Sequence, residues 1–498
     1  MIINRAKYCS YCQCPKSVWL KNNKNEEFVV DKSVSDRASS SNEICELECK
    51  LFGKFVDVTT VAGSDDPEIL VAKTKELIEK GTKVITKAAV EYDGAYAVID
   101  ILKKEKSGYS MYRTKSSTSP NHHSYIVEIS YNKYILQKCG IDVVGTYVIN
   151  VNTKYHHKRR LHLNQLFKIT SVEELVADEI VRVEDNIKGL KEILDMESEP
   201  DIDLNTGCHS PFDCGFWKYC SKHLPSPSVF DLYATSIQKK VDYYRKGIVT
   251  FEDIREKCDK LDHMQKLQIE HGIETKETYI DQARVREFLD KLWYPLYFLD
   301  FETVQMGIPK YKKSRPYQPT PFQYSLHYIE NPGDEPKHKE FLASPEKDPR
   351  KQVAMRLASD IPETACVLAY NQYFERDRIK DLAKLYPTLS KKLFAVAKNV
   401  RDLIDPFAEG MVYNRAMGNS TSIKSVLPAL YPDDPSLDYS NLDGVQNGND
   451  AMSIFPKLLS MTKEERKEAE KDLLEYCKLD TFAMVKIYEW LVSATKEK

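Results

Sequence analysis

Residues 297–304 read YFLDFETV, an apolar run that ends in two acids one residue apart. Successive side chains of a strand point to opposite faces, so Asp300 and Glu302 share one face at the strand's C-terminal end. Two carboxylates after a buried apolar run are costly unless cations or solvent meet them. Hard cations such as Mg²⁺ and Mn²⁺ take oxygen ligands and suit an acidic pair of this kind. Taken alone the pair is weak evidence, because Asp-x-Glu is common and a plain strand-end pair reads the same way.

Two further segments give the pair company. The strand-like ACVLAY (365–370) runs into NQYFERDRI, where Asn371 sits at a turn and Glu375 follows at the start of a helix. An acid in a first helical turn also complements the helix dipole, which is the bland reading. Near the C-terminus, LLEYCKLDTFAMV spaces Tyr476 and Asp480 one helical turn apart, so they share a face. Apolar Leu473, Leu474, Phe482 and Val485 surround them and turn that face toward the protein body.

Outward from these segments, the pattern predicts a multidomain α/β chain. Its 498 residues suit two or three domains. Residues 1–60 look helical, and KVITKAAV, AYAVIDIL and TYVINV within 84–151 are strand-like. The Pro- and Ser-rich LPSPSVF (224–230) reads as a boundary, followed by a polar helical stretch. The expected domains are 1–225, a helical connector over 226–290, and 291–498. In the last, YPLYFLDF reads as a buried strand and PFQYSLHYI as an alternating one, with a long helix over 464–495 closing a mixed sheet.

The net charge of −3 argues against a uniformly basic surface but leaves local grooves open. The basic stretches are Lys103–Lys106, then Lys154, Lys158, Arg159 and Arg160, and then Lys310, Lys312, Lys313 and Arg315. Each alone could be no more than a solvated face. No apolar run approaches membrane-helix length, and no signal-peptide core is evident, so a cytoplasmic protein without membrane contact is expected. In that compartment twelve cysteines point to metal or redox chemistry in preference to disulfides. GCHSPFDCGFWKYC places Cys208, Cys214 and Cys220 at two identical gaps, and QCPKSVWL offers Cys14 as a fourth ligand, with Cys9 and Cys12 close by. Four thiolates fit a 4Fe–4S cluster or a structural zinc. Cys45, Cys49, Cys139, Cys258, Cys366 and Cys477 read as ordinary buried thiols.

The order Asp-x-Glu, Asn-x-x-x-acid, Tyr-x-x-x-Asp resembles the DnaQ-like, or DEDD, 3′–5′ exonucleases of the ribonuclease H-like fold, in their tyrosine subtype. The resemblance implies that Asp300, Glu302, Glu375 and Asp480 hold two divalent metal ions and that Tyr476 positions the attacking water. Glu375 stands where that superfamily usually has Asp. IPKYKKSRPYQPTPFQYSLHYI, RDLIDPF and SIKSVLPALYPDD resemble an uncharacterised bacterial family that fuses such a domain to an iron–sulfur, RecB-like domain. In those segments Arg315, Gln323 and Lys424 are candidate phosphate or base contacts.

One cysteine near the N-terminus and three after the core resemble RecB-like nucleases of restriction-endonuclease-like fold. In those proteins a cluster staples the two ends of the domain together. The resemblance implies a P-D-(D/E)-x-K site with Asp100 and Lys115. Arg113, two before that lysine, stands in place of an acid, and Lys87 also stands where the family commonly carries one. Cations there would repel a divalent metal and attract phosphate. The expectation is a nuclease acting on DNA or RNA through its C-terminal domain, with an N-terminal domain that holds nucleic acid. The competing expectation is a non-catalytic scaffold with two degenerate nuclease domains. A redox protein is less supported, because no G-x-G-x-x-G accompanies the cysteines.

Overall fold

Apolar alternation in residues 84–115 builds three consecutive strands: β3 (Val84–Tyr92), β4 (Ala95–Lys104) and β5 (Tyr109–Lys115). Asp93 and Gly94 join the first two and both have positive φ, 52° and 77°. That combination suits the two-residue hairpin turns whose twist matches the flanking strands. The computed structural model describes residues 2–29, 43–120, 122–274 and 278–496. The chain divides into two compact units, residues 1–223 with 306–318, and residues 224–305 with 319–498.

In the first unit, β2 (Val56–Asp57), β6 (Val143–Val151) and β7 (Phe167–Ser171) extend the sheet to the order β2-β3-β4-β5-β6-β7. The short β1 (Ile3–Asn4) lies parallel to the start of β4. β5 and β6 are parallel and so need a crossover, which helix His123–Lys138 supplies. Its Ile126, Ile129 and Ile135 join Ile85, Ile99 and Val148 of the sheet in one core. The Tyr131 hydroxyl donates to the carbonyl of Ile3 at 2.8 Å and so ties β1 to this helix.

The second unit is built on β9 (Leu296–Val304). Its sheet has the order β11-β10-β9-β12-β13, with β10 at Thr320–Ile329, β11 at Lys337–Leu342, β12 at Cys366–Ala369 and β13 at Val400–Asp402. β10 runs antiparallel to both β9 and β11, whereas β12 is parallel to β9 and β13 to β12. Leu368 of β12 pairs with Phe298, so β12 ends beside Asp300, and helix Gln372–Leu385 starts at the same edge. Residues 226–290 form several short helices and belong to this unit.

The β10 segment departs from expectation. Alternation predicted one wet face, but nine of its ten residues are buried. Helix Pro349–Asp360 and the 32-residue helix Lys463–Ala494 both pack on β10. The polar alternates therefore bond to the long helix instead of water: Gln323 donates to the Leu473 carbonyl at 2.6 Å, and Ser325 and His327 both reach the Thr481 hydroxyl, at 2.7 and 2.8 Å. Thr462 and Glu465 form a capping box that starts this helix. Among the described residues, no helix is long and apolar enough to cross a membrane.

Candidate metal centre

Strand alternation sends Leu299 and Phe301 into the core on one side of β9 and leaves Asp300 and Glu302 on the other. Glu375 comes from the first turn of helix Gln372–Leu385, and Tyr476 and Asp480 from the long C-terminal helix. All five line one cavity of about 440 Å³, together with Lys424 of helix Ile423–Leu430. Glu302, Glu375 and Asp480 are each at least nine-tenths buried. Three segments spread over about 180 residues of sequence thus bring their acids to one place.

Burial and mutual repulsion act on these acids together. Burial, reinforced by Asp480, pushes the Asp300 carboxyl up to about 8. Burial also raises Glu302, with Asp300 and Asp480 adding to it, and raises Glu375, with Asp300 adding to it. Asp480 is raised less, to about 6, because the Tyr439 and Tyr476 hydroxyls and Lys424 oppose the effect of burial. Among the described residues, none of the four acids takes part in an ion pair. Glu375 Oε2 is buried without a hydrogen-bond partner. An oxygen-rich set short of positive charge, with an orphaned carboxylate oxygen, fits divalent cations.

Several contributors were not legible in the sequence. Asn371, the N-cap of the Glu375 helix, adopts φ 77° and makes no side-chain cap. Asp402 of β13 replaces it, accepting from the backbone N–H groups of Asn371 at 2.9 Å and Gln372 at 2.8 Å. A carboxylate there offsets the positive end of the helix and fixes where Glu375 begins. Tyr439 donates to Asp480 Oδ1 at 2.7 Å. Cys477, read as an ordinary buried thiol, is buried but lies at the centre, its sulfur 3.7 Å from Asp300 Oδ2. Ligand-type atoms of Asp300, Glu302 and Cys477 all fall within 4.8 Å of one another. Gln323 is fully buried against the long helix, which overturns its reading as a nucleic-acid contact. Arg315 is exposed and belongs to the first unit.

The cysteines of the first unit gather as a set. Cys14, Cys208, Cys214 and Cys220 line one small cavity of about 20 Å³ with Leu20, Phe216 and Trp217. Gln13 brings the two chain ends together, its Nε2 donating to the carbonyls of Gly207 and Phe212 at 2.7 Å each. Cys12 instead takes a contact from Asn186, and burial near Glu128 raises the Cys9 thiol to about 12. Among the described residues, no three of the four clustered sulfurs lie within 4.8 Å of one another. Cys139 is exposed, contrary to its reading as a buried thiol.

A second cluster in the first unit is charge-paired. Asp100 of β4 accepts from Arg113 Nη1, and from the Thr114 backbone N–H at 2.8 Å. Arg113 also reaches Glu128 with Nη2 at 2.9 Å, and Lys115 reaches Glu128 at 3.0 Å. Burial alone would raise Asp100 and Glu128, yet the surrounding cations, Arg113 first, hold both below the usual carboxylate range. Lys87 is not part of this group. It adopts φ 52° where the β3–β4 ladder is interrupted, is exposed, and pairs with Asp57 at 3.3 Å. The acid that does face the cluster is Glu48, fully buried, with neither carboxylate oxygen hydrogen-bonded. Burial, with Asp100 adding to it, pushes Glu48 up to about 9.

Residues 297–422, which include Asp300, Glu302 and Glu375, match a family described as a domain of unknown function, DUF2779. No curated protein matches the chain.

Proposed function

We propose that the second unit hydrolyses phosphodiester bonds of DNA or RNA, removing nucleotides from 3′ ends, and that the first unit binds the nucleic acid without cutting it. The observation that carries this reading is the convergence of Asp300, Glu302, Glu375 and Asp480 in one cavity with no paired cation. These four carboxylates would hold Mg²⁺ or Mn²⁺. Two such ions supply an activated water and stabilise the leaving oxygen. Tyr476 lines the same cavity, and its phenol is pushed far above neutral pH by burial, then by Asp480. It therefore keeps its proton and acts by orienting water through its hydroxyl. Asp480 is held by Tyr439, and Lys424 stands over both tyrosine rings at 4.9 and 5.4 Å, where its charge can meet phosphate.

The five-stranded mixed sheet with its acids on the central strand supports the ribonuclease H-like, DnaQ-like reading of this unit. The seven-stranded sheet, with Asp100 and Lys115 together and the cysteines joining the two ends, supports a RecB-like, restriction-endonuclease-like reading of the first. There Arg113 occupies the space between Asp100 and Glu128 that a cation would need, so cleavage by this unit is not expected. The four-cysteine set would hold a 4Fe–4S cluster or, as the alternative, a structural zinc. The competing reading, a non-catalytic scaffold, is disfavoured because the acid set of the second unit is complete.

The test is digestion of end-labelled single- and double-stranded DNA and RNA with Mg²⁺ or Mn²⁺. Asp300→Ala is expected to cut the rate on the order of a thousandfold, since a bound metal contributes several kcal/mol to the transition state. Wild type and variant behaving alike on every substrate would sink the proposal.

A further inference from the structure

Two of the basic stretches, some 150 residues apart in sequence, are one surface in the first unit. Residues 306–318 belong to that unit. Their ends are closed by the Tyr317 N–H, which donates to the Met306 carbonyl at 2.8 Å. Ile308 and Tyr317 anchor the loop against a core that includes Ile44, Tyr112 and Ile149. A Cβ at Gly307 would lie 2.4 Å from the Ile44 terminal methyl, so the loop packs closely on that core. Its tip is clamped to residues 152–162 by two backbone hydrogen bonds, His157 N–H to Ser314 at 3.0 Å and Lys313 N–H to His157 at 2.7 Å. The second of these holds Lys313 at φ 67°, which a lysine seldom adopts unsupported.

The clamp joins Lys154, Lys158, Arg159 and Arg160 to Lys310, Lys312, Lys313 and Arg315. Neither segment, 153–162 nor 306–318, contains an Asp or Glu, in a chain whose net charge is −3. All eight cations are exposed. Exposed like charges gathered on clamped loops repel one another and attract an anion. No large apolar residue of either segment is exposed, so the surface lacks what a membrane-inserting face requires.

We infer that this clamped double loop is a docking site for the phosphate backbone of a nucleic-acid strand, engaged without base recognition. The inference rests on the nuclease reading above and deepens it by naming where the first unit holds substrate. Lysine and arginine side chains on a fixed backbone contact phosphates as charges, and each contact releases counterions.

The experiment uses the full chain carrying Asp300→Asn, without added divalent ions, and fluorescein-labelled single-stranded DNA, single-stranded RNA and duplex DNA. Binding is followed by anisotropy over a range of NaCl concentrations. One variant adds Lys158→Gln, Arg159→Gln and Arg160→Gln; the other adds Lys310→Gln, Lys313→Gln and Arg315→Gln. All six side chains are exposed, so melting temperature and circular dichroism should match the parent. Each triple variant is expected to flatten the salt slope by about 2 and to weaken binding roughly a hundredfold at low salt, by loss of counterion release. Binding of both triple variants with the parent's affinity and slope overturns the inference, as does parental binding to anionic vesicles with none to nucleic acid. If wild type binds through these loops but never cleaves, the site stands and the hydrolase reading falls; if it cleaves while both variants bind as the parent does, the reverse holds.

Discussion

Asp100 and Glu128 in the first unit lie around the guanidinium of Arg113, whereas Asp300, Glu302, Glu375 and Asp480 in the second have no ion-pair partner among the described residues. The first group is partly buried and the second mostly buried, and both sit on strands and helices of an α/β unit. The opposite direction of their ionisation follows chiefly from the charge beside them: Arg113 first, then Arg5, holds Asp100 below the usual range, and burial with Asp480 pushes Asp300 up to about 8. A site that has taken an arginine into its centre is electrostatically closed. One that has not is waiting for charge from outside.

The contrast can be broken most directly at Arg113. Arg113→Ala leaves Asp100 with the Thr114 hydrogen bonds and a distant Arg5, and Glu128 with Lys115 alone, and is expected to cost about 2–3 kcal/mol in denaturant unfolding. A near-neutral result would mean that the guanidinium is not what holds Asp100 and Glu128 ionised. For the second site the sign is reversed. Between pH 4 and 8 the folded state keeps a proton on Asp300 that the unfolded chain has released, so metal-free stability falls as pH rises through that window. Asp300→Asn should therefore raise the metal-free Tm at pH 8 and change it little near pH 4. Added Mn²⁺ should stabilise wild type more than the variant at pH 8. A flat Tm difference across pH would remove the electrostatic half of the comparison.

Smaller effects sharpen it. Tyr439→Phe removes the 2.7 Å bond to Asp480 and is expected to weaken Mn²⁺ binding about tenfold by calorimetry, the usual cost of losing a residue that orients a ligand. Asp402→Ala uncaps the Glu375 helix and should cost about 1 kcal/mol of stability, read from chemical unfolding. Substrate turnover should fall with it if Glu375 depends on that cap for its position.

What the sequence disclosed was the part encoded by short-range periodicity. Asp300 and Glu302 share a face because strands alternate, and Tyr476 and Asp480 because helices return every turn. Asn371 and Glu375 were found because a turn and a first helical turn are local events. Tyr439 and Asp402 were not, because each reaches its partner from about 30 to 40 residues away and no spacing rule connects them. Lys87 was misjudged for a related reason: an interrupted ladder and a positive φ send its ammonium to Asp57, while Glu48, on a helix before the sheet, supplies the buried acid. The polar alternation of β10 was read as a wet face because sequence cannot tell water from the polar backbone and hydroxyls of a covering helix.

The clamp at His157 bears on the order in which the chain can be completed. Gln13 holds a loop that is synthesised some 200 residues after it, and the first unit also takes in residues 306–318, which follow the β9 strand of the second. As the chain leaves the ribosome, the N-terminal sheet can form early, but its cysteine cavity must wait for Cys220 and its basic double loop for residue 318. By then the strand that bears Asp300 and Glu302 has already emerged. Glu375 and Asp480 follow later still, so the surface inferred to grip a strand can be finished well before the acids proposed to cut it are all present, and a nascent chain can hold nucleic acid before it could cleave any.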